Sequence, residues 1–208
     1  LRWLNARVAY RKTEAVLKKQ AMTRERIVRA ATELVVEEGY AGCSMAGVAR
    51  RAEVATGSIY QFFPSKGELF AEVFRTAVSR EVVATSQAGA EKLTSSARAS
   101  ILAAAETFCT RAMRSPRMAY ALIAEPVDPL VEAERLVFHQ SFSDILATAI
   151  NAAIAAGEVP DQDAGITAAG IVGAISDVLV LPLSRGDTGE RVLPALLAFI
   201  DRALGRPD

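Results

Sequence analysis

Apolar positions along the chain recur at helical spacing, with no sustained alternation and no hairpin signature, so the pattern predicts an all-α protein. Ile27, Ala30, Ala31, Leu34 and Val35 form the stripe of a first amphipathic helix, with Thr23 as its N-cap and Gly39 as its stop. Ser44 caps a short second helix in which Met45, Val48, Ala49 and Ala52 share a face. Glu53 to Ala55 make a turn, and a third helix is expected over 56–62, ended by Pro64. Ser65 with Glu68 is a capping box, opening a fourth helix whose buried stripe is Leu69, Phe70, Val73, Phe74 and Ala77.

The run ATSQAGAEKLTSS at 84–96 mixes small and polar residues and predicts a bend. Helices follow at 96–114, ended by Ser115 and Pro116, and at 117–124, ended by Pro126. Asp128 caps with Pro129 at the first helical position, opening a long helix that Gly157 and Pro160 close. Two last helices are expected at 162–183 and 190–204. The organisation predicted is an N-terminal extension at 1–22, a four-helix module at 23–75 and a larger helical domain at 76–208, with no linker between them.

At 208 residues and 51% apolar content the chain can bury a sizeable core. Its 24 basic and 24 acidic residues cancel, but residues 1–75 hold 13 Lys or Arg against 8 Asp or Glu. That surplus points toward a polyanion. Cys43 and Cys109 make no disulfide framework and stand at no metal-ligand spacing from His139, so no metal or other cofactor is expected and the thiols are read as reduced and cytoplasmic. The first residues are too interrupted by charge for a signal peptide. Residues 164–183 approach the length and apolarity of a membrane span, but Asp177 and Pro182 favour a packed interface helix and no membrane partner.

Two short helices joined by a tight turn in a basic region describe a helix-turn-helix, whose second helix enters the DNA major groove. Thr56, Ser58 and Gln61 carry donors and acceptors that suit base edges or phosphates, and Gly57 removes a side chain where backbone must approach DNA. Tyr60 can offer its hydroxyl to a phosphate while its ring packs beside Phe63, and the helix starts at Ser44 and Lys66 are natural phosphate sites. By spacing alone, a solvated surface helix explains the same residues equally well.

Residues 23–74, with EEGY, the run SMAGVARRA, GSIYQFF and PSKGEL, resemble the N-terminal domain of the tetracycline-repressor (TetR) family of bacterial transcription regulators. The resemblance implies that Ser44, Thr56, Gly57, Ser58, Tyr60, Gln61 and Lys66 line a DNA surface. It further implies that the remaining helices bind a ligand and form a homodimer through the last two of them. Glu53 stands where the family usually has Gly, and Ala55 where it usually has a capping Ser. Before Thr23, Arg7, Arg11, Lys12, Lys18 and Lys19 suit a basic arm, while Leu1, Leu4 and Val8 suit a helix packed on its own protein.

Ile101, Ala105, Phe108 and Ala112 line one face of the fifth helix, and Phe138, Phe142, Ile145 and Ala149 one face of the seventh. Plain core and a ligand pocket are both consistent with these stripes. Arg135 and His139 fall at steps that place a cation and an imidazole beside that face. The candidate ligand residues are therefore Phe108, Arg135, Phe138, His139 and Phe142. With one His, no paired Cys and no phosphate-binding Gly loop, no catalytic set is expected. The function expected is a dimeric regulator, a repressor released from a palindromic double-stranded operator by a small apolar effector, cytoplasmic in a bacterium and at the nucleoid when bound to DNA. The alternative is a helical sensor or interaction module with weak or no specific DNA binding. The fourth helix, continuous with both parts, is expected to couple them.

Overall fold

The computed structural model describes residues 14–186 and 191–206, and among these no strand occurs. The helices are α1 (Glu14–Gly42), α2 (Met45–Arg51), α3 (Thr56–Ile59), α4 (Lys66–Leu93), α5 (Ala97–Arg114), α6 (Pro116–Ile123), α7 (Pro129–Ala155), α8 (Ala164–Arg185) and α9 (Val192–Ala203). The all-α expectation holds.

Local chemistry sets most boundaries. Ser44, Ser65, Ser96, Asp128 and Asp163 each accept a backbone N–H in the first turn of their helices, satisfying donors that a helix start leaves unpaired. Thr23, however, lies inside α1 and is not its cap. Its hydroxyl donates to the Lys19 carbonyl at 3.0 Å, which lets a threonine sit within a helix. Gly39, at φ 74°, breaks the helical run where a stop was expected. The bend expected at 84–96 is also corrected, because α4 continues to Leu93. Its small residues serve a close contact with α5: a Cβ on Gly89 would stand 3.1 Å from Ser100 Oγ. Thr85, buried in the same stretch, donates its hydroxyl to the Glu81 carbonyl at 2.8 Å.

Two hydrophobic clusters result. The first joins Ile27, Leu34, Val35, Val48, Ile59, Leu69, Phe70, Val73 and Phe74, and is closed by Met118, Ala121 and Leu122 of α6 and Val131 of α7. The second is built from α5–α9, with Ile101, Ile150, Ile171, Leu179, Ile200 and Leu204 essentially excluded from water. The expected borders at 22/23 and 75/76 both fall inside helices, α1 and α4. Helix α8 is long and apolar enough to cross a membrane by length and composition. One of its faces is buried through Ala168, Ile171, Val172, Ile175, Leu179 and Leu183, while Ile166, Val178 and Leu181 are exposed, as is Phe199 of α9.

Candidate nucleic-acid interface and the adjoining cavities

The turn between α2 and α3 is a helix C-cap of Schellman type. Val54 N–H donates to the Ala49 carbonyl at 3.0 Å and Glu53 N–H to that of Arg50 at 3.3 Å. This geometry forces the residue after the cap into the left-handed region, and Glu53 sits there at φ 54°. It is the position that favours glycine, and a residue with a Cβ is strained in it by about 1–2 kcal/mol. Ala55 then precedes α3 in extended backbone with no side-chain cap, and Thr56 is the first helical residue, so it does not cap in Ala55's place.

Helix α3 is shorter than the expected 56–62, a single turn ending at Ile59. Residues 60–62 continue as turn, with Phe62 and Phe63 N–H both donating to the Ile59 carbonyl at 2.9 Å. Ile59 and Phe63 are the buried anchors of this segment. Thr56, Gly57, Tyr60 and Gln61 are exposed and Ser58 is half-buried. Space around Gly57 is open, with no atom within 4 Å of where a Cβ would be. Ser44 is exposed at the start of α2. The ring of Phe63 faces the Arg24 guanidinium, 4.9 Å from its centroid.

Lys66 is more committed than its sequence context suggests. It is half-buried, its Nζ donates to the Tyr40 carbonyl at 3.3 Å, and it lies 4.4 Å from the Tyr40 ring centroid and 5.5 Å from that of Phe70. The basic surplus of the N-terminal part is also unevenly placed. Residues 14–75 hold 9 Lys or Arg against 8 Asp or Glu, and Arg51 and Arg24 are paired with Glu37 and Glu72. The rest of the surplus lies before residue 14. Leu1, Leu4, Arg7, Val8, Arg11 and Lys12 fall outside the described residues, while Lys18 and Lys19 are exposed on α1.

In the larger domain Phe108, Phe138 and Phe142 converge. Phe138 and Phe142 have ring centroids 4.7 Å apart, and Phe108 stands 5.3 Å from Phe142 and 6.1 Å from Phe138. Phe108 and Phe138 border two cavities. One, of about 40 Å³, is otherwise lined by Thr85, Ala105, Phe142, Leu146, Val172 and Ile175. The other, of about 50 Å³, reaches Glu81, Arg111, Ser115, Met118 and Ile123. Each exceeds the roughly 10–15 Å³ a water needs, and Phe108 and Phe138 line both. Arg111 Nε and NH2 donate to the two oxygens of Glu81 at 2.6 and 2.9 Å, so the charged wall of the second cavity is internally paired.

Arg135 corrects the expectation that it adjoins the apolar face. It turns to the end of α6, donating to the carbonyls of Leu122 (3.0 Å), Ala121 (2.9 Å) and Glu125 (2.6 Å). The Ala121 and Leu122 carbonyls belong to the last turn of α6, where a helix leaves carbonyls without partners, and Glu125 lies just beyond it, which is what draws the guanidinium there. His139 lines neither cavity. It stands edge-on to Phe138, with centroids 5.8 Å apart, and burial, helped by the nearby Arg135 charge, lowers its pKa. Both cysteines are free and buried, and desolvation pushes the Cys43 thiol up to about 11 and Cys109 to about 12. Among the described residues no group of His, Cys, Asp and Glu is arranged to hold a metal.

Glu125 was not singled out by its sequence context. Its carboxylate accepts the N–H groups of Tyr40 and Ala41, each at 3.0 Å, across 85 and 84 residues of chain. No local pattern announces so distant a contact.

A capped short helix, a left-handed turn and a second short helix with exposed Thr, Gly, Tyr and Gln define a helix-turn-helix module set on a larger helical domain. The sequence profile of bacterial regulatory proteins of the tetR family matches residues 27–73, so the likeness in sequence lies in this N-terminal domain. An uncharacterized HTH-type transcriptional regulator of Bacillus subtilis, YhgD, is 46% identical over 50 residues, which are 24% of this chain and 26% of that protein. The match therefore spans about a quarter of the relative's length. Similarity of fold extends much further. The transcriptional regulator FadR of Bacillus subtilis, solved in complex with stearoyl-CoA, superimposes with a TM-score of 0.72 at 18% identity over 87% of this chain and 97% of its own. A TetR-family transcriptional regulator from Agrobacterium tumefaciens does so with a TM-score of 0.70 at 20% identity, over 86% and 98%.

Proposed function

We propose that the protein is a cytoplasmic, non-catalytic transcriptional regulator that binds a near-palindromic operator as a homodimer and releases it when a small apolar effector enters the larger domain, which makes it a repressor. The observation that carries this reading is the helix-turn-helix itself, with Ile59 and Phe63 buried beneath Thr56, Gly57, Tyr60 and Gln61. In this reading Thr56, Ser58 and Gln61 read base edges, Gly57 allows backbone approach, and Ser44, Tyr60 and Lys66 hold phosphates. Lys66 would give up its bond to the Tyr40 carbonyl or share its remaining donors with the phosphate.

Dimerisation through α8 and α9 is supported by the exposure of Ile166, Val178, Leu181 and Phe199 on adjoining helices, and by the open space over Gly170 and Gly173, where a second helix can approach closely. A two-fold dimer presents two α3 segments about one DNA turn apart, which is why the operator should be nearly symmetric. The cavities around Phe108, Phe138 and Phe142 support an effector whose body is uncharged and apolar. A domain module at 23–75 for DNA and at 76–208 for effector and partner fits the two hydrophobic clusters, with α6 and α7 bridging them.

A second reading is favoured by Glu53 and Ala55: a carboxylate at φ 54° in the turn and an uncapped α3 both weaken presentation to DNA, as a sensor that has lost specific binding would show. Selection of duplexes from a random pool, followed by titration at rising salt, separates the two. A selected near-palindrome bound with an affinity that falls as salt rises supports the regulator. Equal binding of selected and scrambled duplexes supports the sensor.

A further inference from the structure

We infer that Arg135 and Glu125 form a joint that reports the packing of the Phe138 cavities to the DNA-binding module, through the backbone amides at the end of α1. The inference rests on the ligand-responsive reading above and adds a route that does not run along α4. Phe138 and Arg135 lie one turn apart on α7 and face different neighbours. Phe138 lines both cavities, whereas Arg135, with a side chain only 11% exposed, is bonded to three carbonyls at and beyond the end of α6. One of those carbonyls belongs to Glu125 itself. A displacement of α7 at Phe138 is therefore passed to the Glu125 backbone by hydrogen bonds to a charged donor.

The Glu125 side chain completes the route. Its two oxygens accept the Tyr40 and Ala41 N–H groups immediately after Gly39, where α1 is broken at φ 74°. These are charge-assisted bonds to amides that the broken helix leaves without helical partners. Tyr40 then gathers the rest of the module. Its hydroxyl accepts the Asp128 N–H at 3.3 Å, its carbonyl accepts Lys66 Nζ, and its ring meets Phe70 edge-on at 5.3 Å. Gly67, in the first turn of α4, stands so close to the same loop that a Cβ would fall 2.5 Å from Asp128 Oδ1. The end of α1, the start of α4 and the 125–128 loop thus meet at one side chain. The clasp is bonded to the amides in this structure, and release of those bonds to solvent would give the second arrangement that an element biased from either end requires.

Amide exchange followed by NMR tests the joint without a known effector or operator. The quantities compared are the exchange rates of the Tyr40 and Ala41 amides, with the Ile171 amide in α8 as the monitor of global opening. Phe138→Leu, which removes part of the lining of both cavities, should accelerate Tyr40 and Ala41 by about tenfold or more while Ile171 is unmoved. Arg135→Lys should accelerate them alone, and Phe138→Leu added to it should then have little further effect. Should Phe138→Leu fail to fold, Phe142→Leu takes its place. Tyr40 and Ala41 amides that do not respond, that respond by the same factor as Ile171, or that respond additively in the double variant overturn the joint. Glu125→Gln, which keeps one acceptor oxygen, should change affinity for a selected duplex at an unchanged melting temperature. If no duplex can be selected, the regulator reading fails, and the exchange data still decide whether the joint exists.

Discussion

Around Phe70 and Phe74 the large side chains of the N-terminal module are shut off from water, whereas Phe108 and Phe142 of the larger domain are half-buried and border two cavities. Both regions are made of amphipathic helices with similar caps. The difference lies in how completely they are filled. A packed interior resists deformation, so the module suits holding α3 in one orientation, and the looser domain suits responding to an added molecule. The strain is distributed the other way: the module carries the strained Glu53 and the uncapped α3 at its exposed tip.

The largest test of that contrast is a pair of truncations. Phe74→Ala is expected to cost about 3–5 kcal/mol, as for other fully buried aromatic residues. Phe142→Ala should cost clearly less, because part of its surface is already in contact with solvent or empty space. Urea denaturation measures both, and equal losses would remove the distinction between a filled and an unfilled core.

A smaller effect of opposite sign is expected at the tip. Glu53→Gly should stabilise the protein by about 1–2 kcal/mol by relieving the left-handed backbone. It should also tighten duplex binding by deleting a charge that repels phosphate, most visibly at low salt, where repulsion is least screened. Ala55→Ser should supply the missing cap and add about 1 kcal/mol, provided its hydroxyl reaches the N–H groups at the start of α3. Denaturation midpoints of the two variants, set against the parent, show whether the module's tip is as strained as its backbone suggests.

The smallest effect concerns pH. Burial lowers the pKa of His139 below the ordinary 6.5, so the folded state holds its proton less tightly than the unfolded chain. Stability from keeping this ring neutral is present above pH 6.5 and declines as pH falls below it, until the folded pKa is passed. His139→Gln should therefore flatten the fall in melting temperature between pH 7 and pH 5. An unaltered slope would mean that the ring titrates alike in both states.

Most of this architecture could be read along the chain because helix starts are local events. Ser44, Ser65, Ser96, Asp128 and Asp163 act within three residues of themselves, and stripes such as Leu69, Phe70, Val73 and Phe74 follow from the helical period. Glu53 was marked out by the resemblance to a family that usually has Gly at that position, and the turn does place it in the left-handed region. What escaped depends on distant partners. Thr23 can cap a helix or bond back to Lys19, and only the upstream residues decide between these. The small residues of 84–93 could belong to a loop or to a close helix contact, and α5 decides that. Arg135 was placed correctly on α7, but the free carbonyls that attract it belong to α6. The Glu125 clasp joins segments whose sequences say nothing of each other.

The central claim is that the exposed residues of the α2–α3 unit read DNA, and the most direct measurement is an anisotropy titration of a selected duplex and its scrambled counterpart with four variants. Tyr60→Ala and Lys66→Ala should weaken binding to both duplexes alike, since phosphate contacts position the protein, while Ser58→Ala and Gln61→Ala should reduce the preference for the selected one, since base contacts specify. The parent protein should occupy the duplex as two subunits, with an affinity that falls steeply as salt is raised. Equal losses on both duplexes in all four variants, or a parent protein that never distinguishes the two, would contradict the assignment of this surface to DNA.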